Sequence, residues 1–221
     1  MSDFNDARDN YKTEVKKIWE SLANEMGWSY KQGPWYNSDI ISINHNEHTI
    51  TLDNYRDSFT GMGGIYSKHT RVSVPLINEM KFKFSIYKEG FISTIGKFIG
   101  FQDIKIGNRY IDSNFIFKSN DNEIIKAIFK EPKIYSIFEM YENFNLELRH
   151  AIKPKEYKTS NAPGVHSNDY YKREVADQFH YELYFMEANF IEDVKYLKHI
   201  VQLYQDILDK LSELVKITPF E

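Results

Sequence analysis

The first segment of the chain has apolar residues at the spacing of one helix face. They recur at intervals of seven, four, three and four positions: Phe4, Tyr11, Val15, Ile18 and Leu22. This spacing predicts a helix from near Asp3 to Met26. Gly27 is the expected end, because glycine readily adopts the left-handed conformation that closes a helix.

Two short segments then alternate apolar and polar residues, which is typical of strands with one buried face. Asn46 and Glu47 separate them, and a two-residue loop there pairs position 45 with 48, 43 with 50 and 41 with 52. Six side chains then share one face of a hairpin: Ile41, Ile43, His45, His48, Ile50 and Leu52.

A second alternating pair places Val72, Val74 and Leu76 on one strand and Phe82, Phe84 and Ile86 on the next. If these two strands pair, matching their apolar faces requires a loop of three residues, Asn78 to Met80. The pattern therefore predicts a second hairpin.

Phe115 to Phe117 predict a further short strand, and two short helices are expected after it. Asn120 and Glu123 have the spacing of a capping box at the start of the first helix. Pro132 stands where a second helix would begin, because proline is favoured at the first helical position.

Strand alternation returns at Phe144 to Leu148, with Glu147 and Arg149 on the outward side, and again at Phe179 to Phe185. The final helix is expected to begin at Asn189 and to bury a stripe of residues at alternating spacings of four and three. The stripe is Phe190, Val194, Leu197, Val201, Tyr204, Leu208, Leu211 and Val215. Ile200, Ile207 and Leu214 widen it, which favours a helix lying on a sheet over the narrow seam of a coiled coil.

These elements predict a single α+β domain over residues 1–221, with a largely antiparallel sheet built from hairpins. The N-terminal helix occupies residues 1–26, and the sheet with its two short central helices occupies 27–152. A polar stretch at 153–168 lacks periodicity and predicts a mobile surface loop. A strand and the long closing helix fill 178–216.

Composition narrows the classes of function. The chain has 28 Lys and Arg against 32 Asp and Glu, and this net charge of -4 disfavours a general nucleic-acid binder. It has no cysteine, which excludes disulfides, thiolate catalysis and cysteine zinc sites. Neither a signal peptide nor a membrane-spanning segment is recognisable, so a cytoplasmic location is expected.

Two stretches carry a resemblance. Residues 89–129 read EGFISTIGKFIGFQDIKIGNRYIDSNFIFKSNDNEIIKAIF, and residues 190–208 read FIEDVKYLKHIVQLYQDIL. Over residues 90–215 this resembles uncharacterised bacterial proteins assigned to families of unknown function. The resemblance implies a bacterial domain and transfers no functional residue.

The most suggestive chemistry is a glycine-rich stretch followed by cations, because backbone amides and positive side chains together can hold an anion. The candidate anion-binding residues are Gly61, Gly63, Gly64, Lys68, His69 and Arg71. A strand follows this stretch where a phosphate-binding loop would have a helix, so a connection between hairpins is the other interpretation.

Other polar residues favour structural roles. His45 and His48 form a cross-strand pair, but two imidazoles do not complete a metal site, so no metal or cofactor is expected. His150 continues an inward-facing pattern and is expected at the edge of the core. Asp103, Asp112 and Asp121 have turn or cap contexts, where aspartate satisfies backbone amides.

No assembled catalytic constellation accompanies the core pattern, so the leading hypothesis is a non-enzymatic domain that binds a protein or a small ligand, as a monomer or a homodimer. One alternative is an enzyme or binding protein for an anionic small molecule, acting through Gly61 to Arg71. Another is peripheral membrane attachment through Phe91 to Phe101, whose apolar residues fall at helical spacing.

Overall fold

The computed structural model describes residues 2–33, 39–58, 66–89, 103–141, 144–153, 174–175 and 180–220. Within them the helices are α1 (Ser2–Met26), α2 (Arg109–Asn114), α3 (Asn122–Phe129), α4 (Pro132–Met140) and α5 (Val194–Leu214). The strands are β1 (Ser29–Lys31), β2 (Ile40–His45), β3 (His48–Ser58), β4 (Tyr66–Ile77), β5 (Phe84–Lys88), β6 (Asp103–Ile104), β7 (Phe115–Ser119), β8 (Leu146–His150), β9 (Ile152–Lys153), β10 (Glu174–Val175), β11 (His180–Ala188) and β12 (Thr218–Pro219).

Ten of these strands form one sheet in the order β1-β2-β3-β4-β11-β8-β5-β7-β6, with β12 also paired to β4. Every pairing between the named strands is antiparallel, and β9 pairs with β10 as a separate ribbon. The predicted α+β class, with its largely antiparallel sheet and its helix at each end, is confirmed.

One face of the sheet is apolar and carries the helices. The Tyr204 hydroxyl of α5 donates to the backbone oxygen of Val72, at 3.0 Å. Phe129 of α3 contacts Phe84 and Phe117 edge to face, with ring centroids 5.7 and 5.2 Å apart. Because side chains alternate along a strand, these sheet residues share one face and form a continuous core with the helices.

The other face is polar. Nine strands place a polar residue at one cross-strand position: Asp103, Lys118, Ser85, Glu147, Tyr184, Ser73, Thr51, Ser42 and Ser29. An antiparallel sheet tolerates this asymmetry, because only one face needs to join the core.

The first predicted hairpin is confirmed in its register. His45 pairs with His48, Ile43 with Ile50 and Ile41 with Leu52. The alternating pattern and the short loop act locally here, so they fix both the partner strand and the face.

The second predicted hairpin is wrong. The neighbours of β4 are β3 and β12 along one edge and β11 along the other, whereas β5 lies between β8 and β7. The apolar faces were predicted correctly, since Val74 and Phe84 are both fully buried. Alternation specifies which face is buried but not which strand lies alongside.

Two of three predicted helix boundaries agree with the structure. Gly27 ends α1 with a φ of 68°, and Pro132 begins α4, as predicted. The start of α3 was predicted one residue early, because its cap is Asp121, whose carboxylate accepts hydrogen bonds from two backbone amides of the first turn. Asn120 instead holds the loop before β5, accepting from the Lys83 amide at 2.8 Å.

The start of the last helix was also predicted too early. Asn189 has a left-handed φ of 81°, whereas the residue that caps the start of a helix normally has an extended backbone. Asp193 caps α5 instead. The predicted stripe is otherwise confirmed, since Leu197, Val201 and Leu208 are buried. The predicted mobile loop at 153–168 lies outside the described residues beyond Lys153.

The burial of α5 gives the first prediction. Leu208→Ala should lower the free energy of unfolding by about 2–5 kcal/mol, because a cavity remains where the side chain packed. The melting temperature should not depend on protein concentration, since this side chain is buried within one chain. Ser212→Ala, at an exposed position of the same helix, is the matched control. Sedimentation velocity across a wide concentration range measures the association state, and dissociation of a dimer by Leu208→Ala would contradict the assignment.

Candidate functional site

A cluster of four side chains lies where the last strand leads into the last helix. Tyr141 directly follows α4, Tyr196 and His199 lie in the first two turns of α5, and Glu187 is near the end of β11. We call these four residues the rim. Three elements contribute to it, so it forms only in the folded chain.

A chain of buried hydrogen bonds holds the segment that carries the rim. The Thr70 hydroxyl donates to Asn54 Oδ1 at 2.7 Å and accepts from the Ile191 amide at 2.8 Å. The Ile191 carbonyl accepts from Trp19 Nε1 at 3.0 Å. These hydrogen bonds join β3, β4, α1 and the segment that precedes α5. They therefore fix where α5 begins.

The two tyrosines of the rim are stacked. The ring centroids of Tyr141 and Tyr196 lie 3.8 Å apart, with an angle of 21° between the ring planes. The Tyr141 hydroxyl is 2.9 Å from His199 Nδ1, within hydrogen-bond distance. Phe185 presents its ring to Tyr196 at 80°, with centroids 6.5 Å apart. The two phenol rings are therefore held in a defined orientation.

Glu187 is the exceptional residue of the rim. Alternation along β11 places it on the same face as Phe185, toward the helices, and it is half-buried there. No hydrogen bond or ion pair joins its carboxylate to another described residue, and its oxygens still reach water, since they are not among the fully buried atoms without a partner. Burial raises the pKa of Glu187 above its ordinary value of 4.5.

Other shielded carboxylates in the described structure differ from Glu187, because each accepts a hydrogen bond or pairs with a cation. They are Asp39, Asp53, Asp112, Asp121, Glu131, Glu147, Glu182 and Asp206. A partly buried carboxylate without a partner costs free energy, because the lost hydration is not replaced. The lack of a protein partner therefore distinguishes Glu187 from these carboxylates.

Two carboxylates act on the tyrosines of the rim. Burial raises the pKa of Tyr196, and the charge of Glu187 raises it further. Burial also raises the pKa of Tyr141, and the charge of Asp193 adds to that shift. Carboxylates from β11 and from the start of α5 thus both act on the stacked pair. The rim offers acceptors and negative charge, which suit a cationic nitrogen.

The predicted anion patch is only partly described. Gly61, Gly63 and Gly64 lie outside the described residues, while Lys68, His69 and Arg71 lie on β4. Alternation turns Lys68 toward the helical face and the other two toward the polar face. Arg71 donates through Nε to Asp53 at 2.8 Å, which offsets its charge. The anion site stays a prediction.

His45 and His48 lie side by side on the hairpin, as predicted. His45 Nε2 is 2.8 Å from Asp209 Oδ1 of α5, and Asn46 donates to the same oxygen at 2.9 Å. His48 is buried, with an exposed fraction of 5%. These contacts attach the hairpin tip to α5. Among the described residues, no group of three or more His, Cys, Asp or Glu is arranged to hold a metal.

Asp103, Asp112 and Asp121 have separate structural roles. Asp103 pairs with Lys118 at 3.3 Å, Asp121 caps α3, and Asp112 accepts from the amides of Ile106 and Gly107. They do not form a common site. His150 is half-buried near Tyr181, with 3.4 Å between its Nε2 and the phenol oxygen, as expected for a residue at the edge of the core.

Arg149 organises a second polar cluster on the face opposite the helices. Its guanidinium carbon lies 3.4 Å from the centroid of the Tyr184 ring, and its Nε donates to Glu182 at 2.9 Å. Glu147 accepts from Nη1 at 3.3 Å. Arg149 thus pairs with both carboxylates of this cluster.

No protein-family model, no curated protein and no solved structure matches the chain. Among the described residues, no helix combines the length and the apolar character that crossing a membrane requires. The predicted membrane-contacting segment, Phe91 to Phe101, lies outside the described residues.

The sequence contained one signal for the rim that the pattern analysis missed. The inward positions of β11 were predicted as Phe179, Tyr181, Leu183 and Phe185, and the next inward position is Glu187. A carboxylate that continues an apolar strand face is the kind of local conflict that marks functional sites. Nothing in the local sequence pattern placed Tyr141 beside Tyr196.

The burial of His48 gives the second prediction. Burial is the largest cause that lowers its pKa below 6.5, nearby His45 lowers it further, and Glu47 acts in the opposite direction. The unfolded chain therefore binds a proton more readily below pH 6.5, and the free energy of unfolding should fall as the pH is lowered through this range. His48→Gln should show a smaller fall between about pH 7.5 and 5.5 in urea titrations. Equal losses in the two proteins would contradict this assignment.

The unpaired carboxylate gives the third prediction. Glu187→Gln should stabilise the ligand-free protein at neutral pH by roughly 0.5 kcal/mol, because an amide is less costly to desolvate and the partly exposed site is screened by water. The advantage should shrink as acid protonates Glu187 in the wild type, because a raised folded pKa means that stability is lost with rising pH. Glu192→Gln, at an exposed position, should have no such effect. Destabilisation by Glu187→Gln in urea titrations at neutral pH would show an unrecognised partner.

Proposed function

We propose that this protein is a non-enzymatic binding domain whose rim holds a cationic nitrogen of its ligand. The observation that carries the proposal is the half-buried Glu187 carboxylate, which has no partner in the described part of the chain. A cation supplied by a ligand would replace the hydration lost on folding. Binding of the ligand would thus offset the free-energy cost of the partly desolvated Glu187 carboxylate.

The surroundings of Glu187 support a cation over an anion. The charges of Glu187 and Asp193 both act on the tyrosine pair. An anion entering this region would be repelled by these carboxylates, while a cation would be attracted by them. The rim is thus complementary to positive charge.

Anion binding by the Gly61 to Arg71 patch is the second candidate. Two contacts make it weaker: Arg71 is paired with Asp53, and Lys68 lies 5.8 Å from the ring centroid of Phe190, on the other face of β4. A bacterial cytoplasmic setting suits the absence of cysteine and is part of the proposal. The ligand is then a small amine or the side chain of a protein partner.

The fourth prediction tests cation binding with n-butylammonium chloride. At a hundred times its dissociation constant, this probe should raise the free energy of unfolding by about 2.7 kcal/mol. Sodium chloride at equal ionic strength and neutral n-butanol at equal concentration should not reproduce the effect. Thermal and urea unfolding measure it, and isothermal titration calorimetry gives the dissociation constant.

Two variants separate the rim from general surface charge. Glu187→Gln should abolish the stabilisation, because it removes the carboxylate and keeps the shape of the side chain. Glu192→Gln removes the same charge from an exposed position and should keep the stabilisation. If neither n-butylammonium nor other organic cations stabilise the protein, or if Glu187→Gln binds them equally well, the proposed function is wrong.

A further inference from the structure

We infer that the rim recognises a primary alkylammonium group through hydrogen bonds, and not a quaternary ammonium group enclosed by aromatic rings. This inference rests on the proposed function and names the class of cation. It follows from the orientation of the aromatic rings, from the hydrogen-bond acceptors that remain available, and from the lack of a protein partner for the Glu187 carboxylate.

The aromatic faces of the rim are directed at each other. Tyr141 and Tyr196 are stacked with centroids 3.8 Å apart, so each ring covers one face of the other. The His199 ring meets Tyr141 at 62°, and Phe185 meets Tyr196 at 80°. Quaternary ammonium ions are bound by several ring faces directed at one point, whereas ring edges carry partial positive charge. The described rings do not form such an enclosure.

The hydrogen-bond acceptors of the rim remain available. The two oxygens of an ionised Glu187 carboxylate offer about four lone-pair sites, and no described residue uses them. The Tyr141 oxygen keeps at least one lone pair whichever partner donates in its contact with His199 Nδ1. These oxygens can accept the N–H groups of an ammonium ion.

A primary ammonium matches these acceptors. It has three N–H donors, whereas a quaternary ammonium has none. Hydrogen bonds between charged donors and carboxylates are short and about twice as strong as those between neutral groups. A donor-bearing cation can therefore give Glu187 charged hydrogen bonds that a quaternary ammonium cannot give.

Two sources can supply this group: a free amine and the side chain of a lysine in a protein partner. The two share the alkylammonium chemistry and differ in the bulk attached to the alkyl chain. Comparing n-butylammonium with lysine blocked as Nα-acetyl-lysine methylamide distinguishes them. Tighter binding of the free amine indicates a small-molecule ligand, and tighter binding of blocked lysine indicates a protein side chain.

The fifth prediction compares two probes with the same alkyl chain. By isothermal titration calorimetry, n-butylammonium should bind the wild-type protein at least about tenfold more tightly than n-butyltrimethylammonium. Tyr141→Phe should weaken n-butylammonium roughly fivefold by removing one acceptor, and it should leave n-butyltrimethylammonium unchanged. Tyr135→Phe, a half-buried tyrosine of α4, is the matched control and should bind both probes as the wild type does.

The results distinguish this inference from the function on which it rests. Equal or tighter binding of n-butyltrimethylammonium, dependent on Glu187, would overturn recognition by hydrogen bonds and would leave the cation-binding function in place. Absence of binding by both probes would overturn the inference and the function together. Circular dichroism of each variant verifies that the fold is intact, and Glu187→Gln provides a second route where Tyr141→Phe fails to fold.

Discussion

The buried hydrogen bonds of Thr70 fix the part of the fold on which the candidate site depends. The Thr70 hydroxyl is bonded at once to Asn54 on β3 and to the Ile191 amide, which precedes α5. Both partners are shielded from water, so breaking either bond would leave an unsatisfied polar group in the core. The start of α5 is therefore not free to slide along the sheet. The positions of Tyr196 and His199 follow from it, because both lie in the first turns of that helix.

The sheet has two faces with different chemistry, and the rim lies near the boundary between the core and water. On the polar face, charges are arranged as neighbours, as in the cluster of Arg149 with Glu147 and Glu182. On the helical face, Lys133 pairs with the nearly buried Asp206 and so joins α4 to α5. Glu187 is on the helical face too, but no ion pair joins it to a described cation. The carboxylates of the Arg149 cluster are held by ion pairs, whereas Glu187 has no such contact with a described residue.

Much of the fold could be predicted from the sequence where the determining interactions are local. The register of β2 with β3 follows from alternation and a two-residue loop, and Gly27 and Pro132 mark helix boundaries by their own backbone preferences. The pairing of β4 could not be predicted in this way. Its neighbour β11 comes about a hundred residues later in the chain. Both candidate neighbours have equally apolar inward faces, and the choice between them depends on the packing of the whole sheet.

The candidate site could be predicted only in part, for the same reason. Glu187 could be identified as a carboxylate at an inward position of a strand, because strand alternation is local. Its lack of a partner could not be predicted, because cations elsewhere in the chain could have folded against it, as Arg71 does against Asp53. The stacking of Tyr141 on Tyr196 joins the end of α4 to the start of α5, and it depends on how those helices pack.

The rim therefore combines Glu187, which strand alternation identifies, with neighbours whose positions depend on the tertiary structure. A site of this kind can retain an unpaired charge because the rigid elements around it hold their positions without help from that charge. Its cost to stability is limited to one partly solvated carboxylate, which a fully buried core of large aromatic and aliphatic residues can offset.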